Sequence, residues 1–380
     1  MYKKIEKIAN ENNTIVCVGC GVVGGVFYDK IRQLNSNVTL TFCDNNQAKW
    51  GVYKDAKVTG YEETVRKHPN AIYVITSLQF IHKMKKQLLD LGIREEQIYE
   101  QEIQEELKQL YEETKEERKL MASSYFRFEV SLAEHCNLNC KYCSHFSSIA
   151  EKEFLDIEQY RKDISRMSEL LEAKSGIIYL LGGEPLLYDK VEECMIITRQ
   201  AFPNSRIILL SNGLLLPKMP SSFFEVCRTH KIVVSVTMYP VNFDYQLIED
   251  LLERENIEFD YMRMSDDECT FSKMPLDIKG SQDAYTSFTN CDMANQCHQL
   301  REGKVYTCSV IGCIQHFNKK FNQNLEVTED DYVDIYQVKN KKQMLEKLAK
   351  PAPFCRYCNV QNRKENLRHE ISKKEMSEWT

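Results

Sequence analysis

The chain has 380 residues, of which 43% are hydrophobic, enough for two or three domains with their own cores. Its formal net charge of -6 comes from interspersed acidic and basic residues, so there is no basic footprint for nucleic acid and we expect no such partner. No stretch approaches the roughly 18 apolar residues of a membrane span, and MYKKIEKIANENN lacks the apolar middle of a secretion signal, so we expect a cytoplasmic protein.

The segment 1–100 has the element order of a dinucleotide-binding unit. The strand TIVCV leads through GCGVVGG into a helix with FYDKIRQL, then into the strand VTLTFCD, and AIYVITS and HKMKKQLLDLG close the unit. Gly19, Gly21 and Gly24 satisfy G-x-G-x-x-G, which allows a tight turn and aims a helix N-terminus at a phosphate. Asp44 follows the second strand, where it can accept a ribose hydroxyl. We expect a Rossmann-like domain that binds a nucleotide or nucleotide-sugar; the alternative is a doubly wound fold whose glycines serve only the turn.

The segment 101–123 reads as a linker helix. EIQEELKQLYEETKEERKLM repeats Ile103, Leu107, Leu110 and Tyr111 at helical spacing among dense opposite charges. This pattern is typical of a solvent-exposed connecting helix, so we expect the helix to separate two domains.

The segment 124–285 alternates strands with helices. FRFEVSL, GIIYLL, RIILLSN, IVVSVTM and IEFDYM read as strands, and a sixth strand is expected. Such alternation predicts a parallel sheet with helices outside, either open or curled toward a barrel. Ligands of such folds gather at the carboxyl ends of the strands, which is where HCNLNC, GGEP and SNG fall.

Fifteen cysteines is a high count for a reducing compartment, so metal ligation is the better explanation for those that cluster. Isolated cysteines in apolar patterns are instead expected in the core, among them Cys43, Cys194 and Cys227. Cys136, Cys140 and Cys143 supply three thiols from one loop after a predicted strand. Structural zinc usually takes four protein ligands, whereas a 4Fe-4S cluster held by three thiolates leaves one iron open.

This C-x3-C-x2-C motif resembles that of the radical S-adenosylmethionine (SAM) superfamily. The resemblance implies a 4Fe-4S cluster whose open iron is chelated by SAM, an electron from flavodoxin or ferredoxin, and a 5'-deoxyadenosyl radical that abstracts hydrogen from substrate. It implies an adenine contact at Tyr142, a site for the methionine amino group in GGEP, and ribose or carboxylate contacts in SNG. The implied SAM-binding residues are Tyr142, Gly182, Gly183, Glu184, Ser211 and Asn212, with Ser235 and Thr237 as weaker candidates.

A second thiol constellation lies in the segment 286–365. HQLREGKVYT reads as a hairpin turning at Glu302 and Gly303, which places Cys297 across from Cys308. Cys355 and Cys358 would complete a four-thiolate site. The arrangement resembles the twitch domain of radical enzymes, which implies an auxiliary 4Fe-4S cluster; structural zinc is the alternative. Cys291 is an alternate for Cys297, and the residues 366–380 are expected to form a tail.

Two cysteines and two histidines are candidates for the chemistry itself. In radical epimerases that the chain resembles, a thiol returns hydrogen to the substrate radical, and Cys313 is the candidate here, with Cys269 also left over. In dehydrogenases the auxiliary cluster removes an electron instead. His145 and His316 are weaker candidates for bases.

The predicted fold class is α/β, with an N-terminal Rossmann-like domain, a central partial (β/α)6 barrel and a small α+β cysteine-rich twitch domain. GCGVVGG and FCDNN resemble the small domains attached to enzymes of bacterial surface-glycan and nucleotide-sugar modification. We therefore favour a sugar or nucleotide-activated sugar as substrate. The alternatives are a peptide-modifying radical enzyme, although the N-terminus is not a winged-helix peptide-recognition element, and a non-catalytic iron-sulfur or zinc module.

Overall fold

The computed structural model describes residues 2–77, 81–114, 126–261 and 270–380. They form two compact units, one from the described residues up to 114 and one from 126 to 380. Both contain a largely parallel sheet, so the predicted α/β class is confirmed. No helix in these ranges is both long and apolar enough to cross a membrane. Cys269 and the end of the predicted linker helix lie outside the described residues.

The first unit is a six-stranded sheet with five helices in its described residues. Its strands are β1 (Thr14–Val18), β2 (Thr39–Cys43), β3 (Gly51–Tyr53), β4 (Ala56–Thr59), β5 (Ile72–Ile75) and β6 (Ile98–Tyr99). Its helices are α1 (Lys3–Glu11), α2 (Val22–Leu34), α3 (Tyr61–Lys67), α4 (Ile81–Asp90) and α5 (Gln101–Glu113). The strand order is β3-β4-β2-β1-β5-β6, and only β3 pairs antiparallel. Every residue of β1 and β2 after the first is buried, so both strands are covered on both faces.

Helix α5 is packed into the first unit and is not the solvent-exposed linker that the sequence predicts. Ile103, Leu107 and Leu110 are buried in the core that α1 and α2 share with β1. The opposite charges occupy only the outer face, so the helical repeat marks an amphipathic helix of the first unit.

The second unit contains an eight-stranded sheet and a separate two-stranded ribbon. Its strands are β7 (Phe128–Ala133), β8 (Ile177–Gly182), β9 (Arg206–Ser211), β10 (Ile232–Val236), β11 (Phe259–Tyr261), β12 (Thr270–Lys273), β13 (His298–Arg301), β14 (Lys304–Tyr306), β15 (Tyr332–Asp334) and β16 (Lys364–Arg368). Its helices are α6 (Ile157–Leu170), α7 (Val191–Ala201), α8 (Ser221–Thr229), α9 (Gln246–Arg254), α10 (Ala284–Asn290), α11 (Ser309–Phe321) and α12 (Lys341–Leu348).

The large sheet has the order β11-β10-β9-β8-β7-β13-β14-β15. The six strands from β11 to β13 are parallel, and they comprise the five predicted strands and β13 as the sixth. Strand β13 pairs with β7 at only two positions and turns at Glu302 and Gly303 into β14, as the hairpin prediction requires. Both turn residues have positive φ, 48° and 73°. The segments 124–285 and 286–365 therefore share one sheet, and their division into separate domains stays a prediction.

The predicted tail is an ordered part of the second unit. Strand β16 pairs antiparallel with β12, and Trp379 is only 3% exposed. The prediction of a tail fails because the segment finds backbone partners that its polar composition does not reveal.

Candidate functional site

Cys136, Cys140 and Cys143 lie on an irregular loop, residues 135–147, here called the cluster loop, which follows β7. The peptide N–H of Leu138 donates to the sulfur of Cys136 at 3.4 Å. Burial raises the pKa of the Cys136 thiol to about 12, and the nearby charges of Glu184 and Cys143 act in the same direction. Although burial opposes it, the hydrogen bond and charge of His145 hold the pKa of Cys143 below its usual value. The loop thus gathers thiols in contrasting electrostatic settings.

The GGEP segment is packed directly against the start of the cluster loop. Gly183 N donates to Ala133 O at 2.8 Å, and Glu184 N donates to His135 O at 3.1 Å. A Cβ atom on Gly183 would stand 2.0 Å from the carbonyl oxygen of His135. Gly182 has a φ of 147°, and a Cβ atom on it would stand 2.3 Å from the carbonyl oxygen of Ala133. Only glycine therefore fits at both positions.

Glu184 connects GGEP to the SNG segment. Its buried carboxylate accepts from Ser211 Oγ (2.7 Å), Asn212 N (3.0 Å) and Leu186 N (3.1 Å). Because burial disfavours the charge, the pKa of Glu184 rises to about 7 despite these donors. Asn212 Nδ2 in turn donates to Asn137 Oδ1 at 2.6 Å. The carboxyl ends of β8 and β9 are thereby fixed to the cluster loop.

The other predicted SAM contacts lie at the same edge or in the loop. Ser235 is buried on β10, and Thr237 N donates to Ser211 O at 2.9 Å just beyond that strand. Tyr142 has a left-handed backbone with φ of 67°, and the Lys141 amine lies 4.9 Å from its ring centroid. The structure therefore brings the predicted motifs together at the ends of four neighbouring parallel strands.

A polar group, of which the sequence analysis singled out only His316, lies on the opposite face of β7 from the apolar core. Phe128, Val130 and Leu132 belong to that core, so the intervening side chains point the other way. The group, here called the polar face, consists of Glu129, Ser131, Glu134, Gln299, Arg301 and His316. Polar residues at alternate positions of FEVSLA and HQLR are a sequence signal for four of its members, but not for their pairing.

The polar face is held together by buried hydrogen bonds. Glu134 accepts from Arg301 (2.8 Å) and bonds His316 (2.7 Å), and these partners hold its pKa below the usual value although burial opposes them. Gln299 donates to Ser131 Oγ at 2.8 Å. Glu129 bonds His145 of the cluster loop at 3.3 Å, so both predicted histidines are paired with carboxylates.

Cys313 lies beside this group on α11. Its thiol donates to Gln299 Oε1 at 3.2 Å and is 1% exposed. Burial, reinforced by the charge of Glu134, raises the pKa of the thiol, so the S–H bond is kept at neutral pH.

In the second thiol group, Cys291, Cys308, Cys355 and Cys358 lie in one buried cluster that also contains Cys313. Cys297 is half-buried, and its charge also acts on the Cys308 thiol, so Cys291 is favoured over Cys297 as the fourth ligand by its burial. Burial raises the pKa of Cys358, and the charges of Cys355, Cys308 and Cys291 raise it further. The strands pair in the predicted hairpin register as far as Gln299, which lies opposite Tyr306. Beyond this pair, Asn295 N donates a hydrogen bond to Thr307 O.

We predict that Cys291→Ala removes the second group's metal and that Cys297→Ala retains it. If that metal is a 4Fe-4S cluster, the first variant loses about four irons per chain. Iron analysis of the two reconstituted proteins checks this, since the variants differ only in which thiol is missing. The reverse pattern of iron loss would restore Cys297 as the ligand.

Buried hydroxyls without partners flank both thiol groups. Ser147 and Ser148 follow Cys143, and Thr307 and Ser309 flank Cys308; within the described ranges none of these four oxygens has a hydrogen-bond partner. Hydrogen bonds to sulfur tune iron-sulfur clusters, so such donors fit a sulfide-bearing group at each place. No three His, Cys, Asp or Glu side chains among the described residues are arranged to hold a single metal ion.

In the first unit, the glycine pattern shapes a turn that Asp44 braces. Gly19 has φ of 100°, and a Cβ on Gly24 would stand 2.3 Å from Gly19 O, while the space beside Gly21 is open. Asp44 accepts from Cys20 N (2.8 Å), Asn46 N (2.8 Å) and Lys49 Nζ (2.9 Å). Its carboxylate thus stabilises the turn itself, and a role toward a ribose stays a prediction.

The site is a cysteine-bearing loop at the end of a parallel sheet, and the comparisons show which proteins this part of the chain is similar to. Residues 130–244 match the model of the radical SAM superfamily. The match makes this segment similar to radical SAM domains, and it supports a 4Fe-4S cluster and SAM as the cofactors.

The similar proteins include one curated relative and several solved structures. GTP 3',8-cyclase of Mycobacterium marinum (strain ATCC BAA-535 / M) is 32% identical over 100 residues, 25% of this chain and 27% of that protein. The chain thus matches about a quarter of that relative's length. BtrN in complex with AdoMet and 2-DOIA is 20% identical, covering 63% of this chain and 94% of that one, with TM-score 0.40. anSMEcpe with bound AdoMet is 20% identical, and the match covers 36% of this chain and 42% of that one, with TM-score 0.30.

Proposed function

We propose that the chain is a radical SAM enzyme that abstracts hydrogen from a carbon of a sugar or nucleotide-activated sugar, leading to epimerisation or oxidation. Cys136, Cys140 and Cys143 would hold the cluster, and the ends of β8, β9 and β10 would hold SAM. When bound, these cofactors supply the 5'-deoxyadenosyl radical that removes a hydrogen atom from the substrate. The electron would come from flavodoxin or ferredoxin.

The observation that carries the sugar assignment is the polar face beside the cluster loop. Carboxylate, amide, guanidinium and imidazole groups can exchange hydrogen bonds with several hydroxyls at fixed positions. Glu129 and Glu134 are each paired with a basic side chain, so the face is not strongly charged. Such a surface suits a neutral, hydroxyl-rich ring, and fixing that ring is how the chain would select one C–H bond.

Cys313 is the proposed hydrogen donor if the reaction is an epimerisation. Its protonated thiol lies next to Gln299 of the polar face, and donation of a hydrogen atom requires an intact S–H bond. In an oxidation, a second 4Fe-4S cluster on Cys291, Cys308, Cys355 and Cys358 would accept the substrate's electron. A nucleotide-linked sugar would also agree with the open space beside Gly21 in the first unit.

The test uses anaerobically reconstituted protein, reduced with dithionite and mixed with SAM and sugars deuterated at single carbons. Deuterium in 5'-deoxyadenosine, detected by mass spectrometry, is expected for one position of one sugar. Hydrogen from solvent at that carbon in the product would indicate thiol donation. Cleavage only with peptides would replace the sugar assignment, and a protein that takes up zinc but no iron would reduce the chain to a metal-binding module.

A further inference from the structure

The cluster loop depends on two separate supports for its backbone. It contains no regular helix or strand, so its peptide groups depend on partners outside the loop as well as on bonds within it. The end of β8 and Asn212 hold the part around Cys136, through the bonds described above. A different segment contacts the part that carries Cys140 and Cys143.

That segment is the C-terminal strap, defined as residues 364–380. After β16, its backbone runs beside the cluster loop: Lys141 N donates to Glu370 O at 2.9 Å, and Ser372 N donates to Asn139 O at 2.7 Å. These two bonds flank Cys140, which forms an antiparallel bridge with Ile371. The Lys141 amine also pairs with the Glu370 carboxylate at 2.7 Å, but this pair is partly exposed and contributes little.

Trp379 supports the turn that carries Cys143. Its indole N–H donates to Cys143 O at 3.0 Å, and the same carbonyl accepts from Phe146 N at 3.1 Å. Its ring lies 6.0 Å from that of Phe146 and 5.9 Å from that of Phe321. A buried indole with its N–H satisfied in this way combines packing with a directed hydrogen bond.

The strap is itself anchored to the rest of the second unit. Leu276 N donates to Trp379 O at 2.6 Å, and Lys273 Nζ donates to Ser377 O at 2.7 Å. Near its start, the ring of His369 lies 5.5 Å from Tyr239, which follows β10. The strap that contacts the cluster loop is thus itself held in place by other parts of the second unit.

We propose that the C-terminal strap positions Cys140 and Cys143 for the cluster, with Trp379 as the principal positioning residue. The proposal rests on the assignment of a cluster to Cys136, Cys140 and Cys143, and it is independent of the substrate. The strap supplies the backbone partners that the loop lacks, so the thiols are in place before the cluster is loaded.

The experiment compares Trp379→Phe with Trp50→Phe. The chain has two tryptophans, and Trp50 also donates its indole N–H to a backbone carbonyl, that of Asp44, in the first unit. Loss of one indole hydrogen bond of this kind should change the equilibrium between the closed and the locally opened backbone about five-fold. In protein without cluster, amides of residues 139–146 should exchange hydrogen about five-fold faster in Trp379→Phe and at the wild-type rate in Trp50→Phe. In reconstituted protein, the cluster-loop iron should pass to a chelator faster by a similar factor in Trp379→Phe alone.

Three kinds of result would overturn the proposal. Wild-type exchange and iron release in Trp379→Phe would remove the positioning role and leave the proposed function intact. Faster exchange throughout β7, β8 and β9 would show that Trp379 only stabilises the unit as a whole. A chain that takes up no iron at Cys136, Cys140 and Cys143 would overturn the cluster assignment and this proposal together.

Discussion

Replacing Cys140 with alanine is expected to lower the iron content by about four atoms per chain and to abolish SAM cleavage. A four-iron cluster that leaves one iron free for SAM needs three protein thiolates, and this variant has two. Without the cluster, no electron reaches SAM. Cys140 is the most buried thiol of the loop, at 7% exposure, so water cannot easily take its place. Iron analysis and quantification of 5'-deoxyadenosine after dithionite reduction measure both effects.

The matched control for this variant is Cys194→Ala. Cys194 is fully buried in the apolar core on α7, so its loss should leave a small void and no change in iron. Full iron content or undiminished cleavage in Cys140→Ala would exclude it as a cluster ligand. Equal iron loss in both variants would show that a damaged fold, and not a missing ligand, is responsible.

The cluster loop and its neighbours could be predicted because the signals are local. Cys136, Cys140 and Cys143 are close in sequence, so any compact loop brings them near one another. GGEP and SNG each follow a predicted strand, and parallel strands place their carboxyl ends at one edge of the sheet. The core positions of Cys43, Cys194 and Cys227 are likewise confirmed, since an apolar pattern predicts burial.

The polar face could not be assembled from sequence because its members come from distant segments. Gln299 and Arg301 reach Ser131 and Glu134 only because β13 pairs with β7 across 170 residues, through two register positions. Nothing in HQLR indicates that partner. The alternation of polar side chains along β7 is visible in the sequence, but a solvent-facing strand has the same pattern.

The C-terminal strap escaped prediction for a different reason. Its bonds to the cluster loop run through backbone N–H and C=O groups, which every residue carries, so residue types do not encode them. The clearest chemical sign is Trp379, a large ring in a segment rich in charged residues. The choice between Cys291 and Cys297 shows the same limit, because a hairpin register predicts which residues face each other but not where the chain turns after α10.

Substituting Gly183 with alanine is expected to destabilise the second unit and to release the cluster-loop iron. The new methyl group would stand 2.0 Å from His135 O and 2.2 Å from its carbonyl carbon, and both are backbone atoms that cannot rotate away. Overpacking of this kind typically costs 1–3 kcal/mol, which is roughly 2–12 °C in the melting temperature of a domain of this size. The backbone must shift at the residue preceding Cys136, so iron should be lost beyond what the change in stability explains. Calorimetry and iron analysis together measure this.

Gly24→Ala is the matched control, since its methyl group would meet Gly19 O at 2.3 Å in the first unit. That variant should melt earlier in the first unit and keep its iron, because the cluster ligands all lie in the second. If Gly183→Ala retains full iron while its melting temperature falls, GGEP supports only the fold and does not position the cluster loop. If neither variant changes stability, both turns relax more readily than these close approaches imply, and the contact between Gly183 and His135 does not restrain the cysteines.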